Sequence, residues 1–304
     1  MPSLTVKIAS LQLRNPVMSA AGILGITAQS LLKLANVGAG AVVTKSISLK
    51  PSSGYPNPTI TQVNCGFINA MGLPNPGIEA FREEIQLYKT LTNVPLIVSV
   101  YGFTPEEYAQ VAAIAAENGA DAVELNVSCP HAEKTGAEIG QDPKKLAEVV
   151  KEVKEKVSKP VFVKLTPNVT TIAEIAKAAE NAGADAVTAI NTVKAMAIDP
   201  ETTFPILANK MGGLSGPAIK PIAIRCVYEI YREVRIPIIG CGGIATWHDA
   251  VEFMLAGASA VQIGTAIASK GLHVFQSVTK GIEAYMKRKG FKSVKEIVGL
   301  SHSH

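Results

Sequence analysis

The strongest constraint on how this chain can fold is a repeat. Four times a helix-like segment ends in a Gly-Ala step that runs straight into a β-branched stretch: Gly38-Ala39-Gly40-Ala41-Val42-Val43, Gly119-Ala120-Asp121-Ala122-Val123, Gly183-Ala184-Asp185-Ala186-Val187 and Gly257-Ala258-Ser259-Ala260-Val261. Glycine there serves as a helix C-cap, and the small residues let the next strand start close to the helix. Between these steps lie four apolar strands opened by Pro16, Pro95, Pro160 and Pro237. Proline is tolerated at a strand's first residue because no ladder donor is needed yet. Interleaved, the two sets predict eight short strands near residues 16–20, 40–44, 95–100, 121–126, 160–165, 185–190, 236–240 and 259–263. Segments amphipathic at i, i+3, i+4, such as VAAIAAENGA and IAEIAKAAENAGA, fill the gaps as helices.

Continuous apolar strands alternating with helices imply a parallel sheet covered on its outside. Eight of them, with a small hairpin at residues 4–14 ahead, predict a closed (β/α)8 TIM barrel made of a (βα)2 unit repeated four times. An open doubly wound sheet is the competing architecture. The 304 residues are long for an average domain but ordinary for one barrel, so residues 1–304 read as a single domain.

Composition narrows the function classes. Apolar residues make up 47% of the chain, enough for a large core, and 29 basic against 25 acidic residues leave a formal charge of +4 with no basic run. That balance argues against nucleic acid as a partner but leaves room for a small anion. Cys65, Cys129, Cys226 and Cys241 are scattered, none in a C-x-x-C pair or at metal-ligand spacing with histidine. They read as reduced thiols of a cytoplasmic protein. The start MPSLTVKIASLQLRNP lacks the layout of a signal peptide, and no apolar run reaches the roughly 18 residues of a membrane span.

Helix-to-strand connections are short, whereas three strand-to-helix connections are long, at residues 45–76, 127–141 and 191–217. In a barrel these all lie on the C-terminal face, where active sites are built. Strand seven runs into Gly240-Cys241-Gly242-Gly243-Ile244, then Thr246 and a helix; strand eight runs into Gly264-Thr265; and Gly213-Leu214-Ser215-Gly216 follows strand six. Glycines let backbone N–H groups approach a phosphate, and the next helix N-terminus adds a favourable dipole. A pair of tight turns is the plainer reading, and a phosphate there suits FMN and a sugar phosphate equally. Lys45 and Lys164 directly follow or end apolar strands, a costly place for an ammonium unless it faces a cavity, an anion or the rim solvent. Asn69, Asn126, Asn191 and, less directly, Asn64 fall on the same face and offer donors and acceptors suited to a heterocycle. Cys129, on the loop after strand four, is placed to act as a base or nucleophile, with Ser128 as a less acidic alternative. Cys226, inside a helix, and by default Cys241 read as small buried hydrophobes.

In these residues the chain resembles the class 1 dihydroorotate dehydrogenases along almost its whole length, and most closely their two-subunit, NAD-linked class. The resemblance is carried by Val43-Thr44-Lys45-Ser46, Asn69-Ala70-Met71-Gly72-Leu73-Pro74-Asn75-Pro76-Gly77, Glu124-Leu125-Asn126-Val127-Ser128-Cys129-Pro130 and Lys164-Leu165-Thr166-Pro167-Asn168. Ile190-Asn191-Thr192, Met196-Ala197-Ile198-Asp199 and Gly212 through Pro221 add to it. It implies an FMN-binding barrel that oxidises dihydroorotate to orotate in pyrimidine biosynthesis. By the same resemblance Gly242, Gly243, Gly264 and Thr265 hold the FMN phosphate, and Ala20, Ala21, Gly22, Lys45, Ser46, Asn126, Lys164, Ile190 and Gly216 surround the rest of the flavin. Dihydroorotate is held by Lys45, Asn69, Asn126, Asn191 and Thr192 with backbone help from Met71, Gly72 and Leu73, and Cys129 is the general base.

One position departs. His131 stands where that family usually has asparagine, and the related dihydropyrimidine dehydrogenases, which act on uracil or thymine, carry histidine there. They are the alternative reading. The chain has no G-x-G-x-x-G unit and no cluster-type cysteine spacing. The resemblance therefore places FAD and an iron–sulfur cluster on a partner subunit, with NAD as final acceptor and a homodimer inside a heterotetramer. A non-flavin sugar-phosphate barrel would want a catalytic carboxylate or a Schiff-base lysine on this face, and a mere binding module leaves Cys129 beside paired lysines and asparagines without a purpose.

Overall fold

Each Gly-Ala step ends a helix as its sequence requires: Gly38, Gly119, Gly183 and Gly257 all have positive φ, between 99° and 124°. In two of the four steps the next aspartate is a clasp. Asp121 accepts from Leu96 N at 2.8 Å and pairs with Lys89 at 2.7 Å, and Asp185 accepts from Val161 N at 2.8 Å and pairs with Lys154 at 2.7 Å. One carboxylate thus ties the start of a strand to the start of its neighbour and to the helix that leads into that neighbour.

The computed structural model describes residues 2–127 and 136–303. A two-stranded antiparallel hairpin, β1 (Val6–Ile8) and β2 (Leu11–Leu13), comes first. The barrel strands are β3 (Val17–Ser19), β4 (Val42–Val43), β7 (Leu96–Val100), β8 (Ala122–Asn126), β9 (Val161–Leu165), β10 (Ala186–Ala189), β13 (Ile238–Cys241) and β14 (Ala260–Ile263). They form one parallel sheet in the order β3-β14-β13-β10-β9-β8-β7-β4. A parallel bridge between Met18 and Ala41, with Gly40 N donating to Val17 O at 2.7 Å, closes its two edges into a barrel. The eight expected strands are all present, and the open-sheet alternative falls away.

Helices α1 (Ala28–Asn36), α2 (Ile78–Leu91), α3 (Pro105–Glu117), α5 (Pro143–Lys156), α6 (Ile172–Asn181), α7 (Lys220–Glu233), α8 (Trp247–Ala256) and α10 (Val274–Lys289) flank the strands, with short helices α4 (Gly136–Gln141) and α9 (Ala266–Lys270) on the connections. Among the described residues no helix is long and apolar enough to cross a membrane.

Strand side chains alternate between two faces. The outward set, including Val42, Val98, Val123, Val163, Val187 and Val261, packs with the helices into the larger core. The inward set, Met18, Ala41, Val43, Ile97, Ala122, Phe162, Ala186, Ile239 and Ala260, fills the lower barrel together with Ile8 and Leu13 of the hairpin, which plugs the bottom. Two residues further along five of the strands the interior turns polar: Ser99, Glu124, Lys164, Thr188 and Gln262 are all buried there. The barrel therefore presents a polar floor toward its C-terminal mouth.

The long connections at 45–76 and 191–217 are more ordered than their composition suggests. They build a four-stranded antiparallel sheet, β11 (Val193–Met196), β12 (Met211–Ser215), β6 (Gly66–Asn69) and β5 (Ile60–Val63), in that spatial order. The β12–β6 pairing joins two connections distant in sequence, so no local periodicity announces it. Close approach sets its composition: a Cβ on Gly213 would collide with the Thr192 side chain, and one on Gly212 would lie 2.6 Å from Asn69 O.

Candidate active site

Between the barrel mouth and this sheet lies a cavity of about 490 Å³. Its lining follows from the alternation of the strands. Ala20 continues the inward set of β3, Lys45 that of β4, Asn126 and Lys164 end β8 and β9, and Gly264 follows Gln262 at the end of β14. The remaining residues singled out in the sequence line the same space: Ala21, Gly22 and Ser46; Asn69, Met71, Gly72 and Leu73 from β6 and the turn after it; Ile190, Asn191 and Thr192 after β10; and Gly216, Gly242, Gly243 and Thr265 from the glycine loops. Asn64 and Cys65 also face it. Ser128, Cys129 and His131 lie outside the described residues.

A chain of hydrogen bonds fixes the amide wall. Ser46 and Ser99 share a hydroxyl contact of 2.9 Å, Asn126 Nδ2 donates to Ser46 Oγ at 2.9 Å, and Asn191 Nδ2 donates to Asn126 Oδ1 at 3.1 Å. Asn191 Oδ1 in turn accepts from Thr192 N at 2.8 Å. Opposite, Asn75 pins the turn that carries Met71, Gly72 and Leu73: its Nδ2 donates to Leu73 O and to the Tyr101 hydroxyl, each at 3.0 Å. Both sides of the cavity are thus preorganised by groups behind the lining.

The glycine end differs in one respect from the sequence expectation. Gly216, Gly242 and Gly243 have φ of 101°, 131° and 72°, and a Cβ on any of them would come within 2.9 Å of a neighbour. Among the described residues, the N–H groups of Gly242, Gly243, Gly264 and Thr265 donate to no backbone acceptor. The N-terminus of α8, however, already has acceptors of its own for part of its N–H groups. The Asp249 carboxylate accepts from Ala245 N at 3.0 Å and Thr246 N at 2.8 Å, while Thr246 completes a capping box. Asp249 also pairs with Lys220 at 2.8 Å. Burial works against the Asp249 carboxylate, but Lys220 and these N–H donors outweigh it and hold its pKa below the usual value. An anion at this end would find the glycine N–H groups beside a helix end partly capped by Asp249.

Two cations reach the cavity. Burial pushes the pKa of Lys45 down, and its ammonium has no hydrogen-bond or ion-pair partner among the described residues. Lys164 is 5% exposed and donates to Gln262 Oε1 at 3.2 Å, with Glu124 Oε1 at 3.8 Å. Burial alone would lower its pKa, but Cys241 and Glu124 beside it hold it above the ordinary lysine value. The Cys241 thiol is itself pushed up by burial, which leaves the Glu124 carboxylate as the ion-pair partner of Lys164.

Sequence reading overlooked Glu124, Gln262 and the placement of Cys241. The signal was available: a charged or amide residue inside Val123-Glu124-Leu125 or Val261-Gln262-Ile263 cannot sit among packed helices and must point into the barrel. Cys226 is buried as expected, whereas Cys241 lines the cavity.

Comparison with known proteins bears on what occupies this space. The family model described as dihydroorotate dehydrogenase matches residues 3–286. The chain is 56% identical over 301 residues, 98% of each chain, to a protein of Methanothermobacter thermautotrophicus named dihydroorotate dehydrogenase B (NAD(+)), catalytic subunit. Proteins of the same name from Pyrococcus abyssi and Methanosarcina mazei are similar at 54% over 298 residues and 51% over 296 residues; the matches cover 98% and 97% of this chain and 99% and 94% of theirs.

Proposed function

The chain belongs to the dihydroorotate dehydrogenase family, and from that premise we propose that it is the FMN-carrying catalytic subunit of a two-subunit, NAD-linked enzyme that oxidises dihydroorotate to orotate in pyrimidine biosynthesis. The observation that carries this reading is the Lys45 ammonium, unpaired among the described residues, in a cavity whose glycine loops offer N–H groups that meet no backbone acceptor among those residues. A phosphate-bearing flavin suits that far end, and an anionic substrate suits Lys45. Uracil and thymine carry no carboxylate for Lys45 to meet, which favours the orotate reading over the dihydropyrimidine one.

The residues divide the work. Gly242, Gly243, Gly264 and Thr265 hold the phosphate end of FMN; Ala20, Ala21, Gly22, Lys45, Ser46, Asn126, Lys164, Ile190 and Gly216 border the rest. When bound, FMN supplies the hydride acceptor for carbon 6 of the substrate. Asn69, Asn126, Asn191 and Thr192 match the ring amides and carbonyls of dihydroorotate, and Lys45 pairs with its carboxylate. Cys129 takes the proton from carbon 5. Fixing the substrate between preordered amides turns proton and hydride removal into steps of one bound complex. The whole chain acts as one FMN-binding domain of a cytoplasmic enzyme, homodimeric within a heterotetramer. FAD and an iron–sulfur cluster on the partner subunit relay electrons to NAD, since this sequence has neither a dinucleotide fingerprint nor cluster-spaced cysteines.

Chromatography of the cofactor released by heat tests the reading. FMN in a one-to-one ratio is expected; FAD, or no flavin in protein purified under mild conditions, would overturn it.

A further inference from the structure

The polar floor of the barrel contains a group that the reaction just described does not use. Glu124 is 0% exposed, on the inward face of β8. Its Oε2 accepts from Gln262 Nε2 at 2.7 Å and from Thr188 Oγ1 at 2.8 Å. Its Oε1 is buried without a hydrogen-bond partner and lies 3.8 Å from Lys164 Nζ. Gln262 completes the unit by accepting from Lys164 Nζ at 3.2 Å. A barrel interior at this level is ordinarily filled by branched apolar side chains. Buried ion pairs generally add little stability over such residues, so stability alone does not explain a Glu–Lys–Gln–Thr cluster here.

The geometry ties the cluster to the cavity. Thr188 and Gln262 fix the position of Glu124. Gln262 takes one of the three donors of Lys164 and Glu124 Oε1 faces another, which leaves donor capacity for the cavity that Lys164 lines. Among the described residues, the titratable groups facing Lys164 are Glu124 from β8 and Cys241 from β13, with Lys45 lining the same cavity from the end of β4. Cys241 is a neutral thiol near pH 7 and Lys45 is a like charge, so Glu124 is the group that supports the ammonium.

We propose that Glu124 is a positioning residue that serves as the buried counter-ion of Lys164, keeping that ammonium charged at the cavity floor, where it stabilises the electron-rich reduced flavin. The inference rests on the reading of this cavity as an FMN site. It assigns Gln262 and Thr188 the role of holding Glu124.

The test is Glu124→Gln, which keeps the shape and removes the charge, with folding checked by circular dichroism. In the flavin-free chain labelled at lysine 13Cε, the Lys164 resonance should titrate at lower pH in the variant than in the wild type, because a buried ammonium without its anion loses its proton more easily. In the FMN-loaded chain the midpoint potential should fall more steeply with pH than in the wild type once Lys164 begins to lose its proton. The extra slope is about 30 mV per pH unit, a tenfold change in the two-electron equilibrium constant. In a Lys164→Met background the same substitution should add no slope. A uniform upward shift of potential with the wild-type slope, which loss of a negative charge alone would give, would overturn the proposal, as would an unchanged Lys164 titration. If Glu124→Gln does not fold, Thr188→Val, which removes one donor to Glu124, should give a smaller change in the same direction, and a wild-type slope would again overturn it. If the wild-type chain binds no FMN, the functional reading fails by itself, while the lysine titration still decides whether Glu124 governs Lys164.

Discussion

Gly243→Ala, compared with Gly290→Ala, separates backbone strain from the shape of the phosphate cradle. The two glycines have nearly the same φ, 72° and 79°. Gly290, the C-cap of α10, has nothing within 4 Å of an added Cβ, so its substitution carries only the cost of a left-handed alanine, about 1–2 kcal/mol. At Gly243 the same Cβ would lie 2.8 Å from Gly216 O, 2.9 Å from Lys220 Cβ and 3.1 Å from Lys220 N. Two of these are backbone atoms that no rotamer change can move, so the loop must shift, adding about 1–3 kcal/mol of local strain. Gly243→Ala should therefore unfold in urea about 1–3 kcal/mol more easily than Gly290→Ala. Displacing one N–H from a phosphate costs a further charge-assisted hydrogen bond, about 1.5–3 kcal/mol, or roughly tenfold to a hundredfold in FMN affinity. Fluorescence titration of the flavin-free proteins measures this, and Gly290→Ala should bind FMN like the wild type. Equal FMN affinity in the two variants would refute the placement of the phosphate at the Gly242–Gly243 turn.

Cys129→Ala should slow anaerobic reduction of bound FMN by dihydroorotate about 10²- to 10⁴-fold without releasing FMN; Cys129→Ser should fall between and recover at high pH, and a wild-type rate in the alanine variant would remove Cys129 from the mechanism. Asp249→Asn should destabilise the chain by about 1–2 kcal/mol through loss of its helix-capping and Lys220 contacts. Because the folded-state pKa of Asp249 lies below its unfolded value of about 3.9, its contribution is present above that value and is lost as pH falls through the folded one. The stability gap between wild type and variant should hold from about pH 8 to pH 5 and narrow as pH falls through the folded pKa, and a gap that does not narrow in acid would contradict the assignment. The isolated chain should oxidise dihydroorotate with artificial dyes but scarcely with NAD; efficient turnover with NAD or fumarate alone would remove the need for a partner subunit.

How far the sequence reached depended on whether each signal was local. The strands were legible because each is announced by its own neighbours, a Gly-Ala step behind it or a proline at its head. The cavity lining was legible for the same reason, since Lys45, Asn126, Lys164 and Gly264 stand at the ends of those strands. The sheet over the mouth was not. Its strands are four or five residues long, rich in glycine, and paired across distant connections, as in Gly213 opposite Asn69. The capping of α8 by Asp249 was legible in principle from Thr246 and Asp249 at capping-box spacing, yet the glycines before it drew the reading toward an open helix end. Glu124 and Gln262 stayed hidden because a single polar residue in an apolar strand reveals its purpose only when the barrel brings β8, β9, β10 and β14 together.

The proposed function requires dihydroorotate and FMN to meet in this cavity. Anaerobic titration of the FMN-loaded chain with dihydroorotate, followed in the flavin absorption band, shows whether they do. One equivalent of substrate should bleach one equivalent of flavin and release one equivalent of orotate, with dihydrouracil reacting far more slowly. Flavin left oxidised by dihydroorotate, or bleached faster by dihydrouracil, would contradict it.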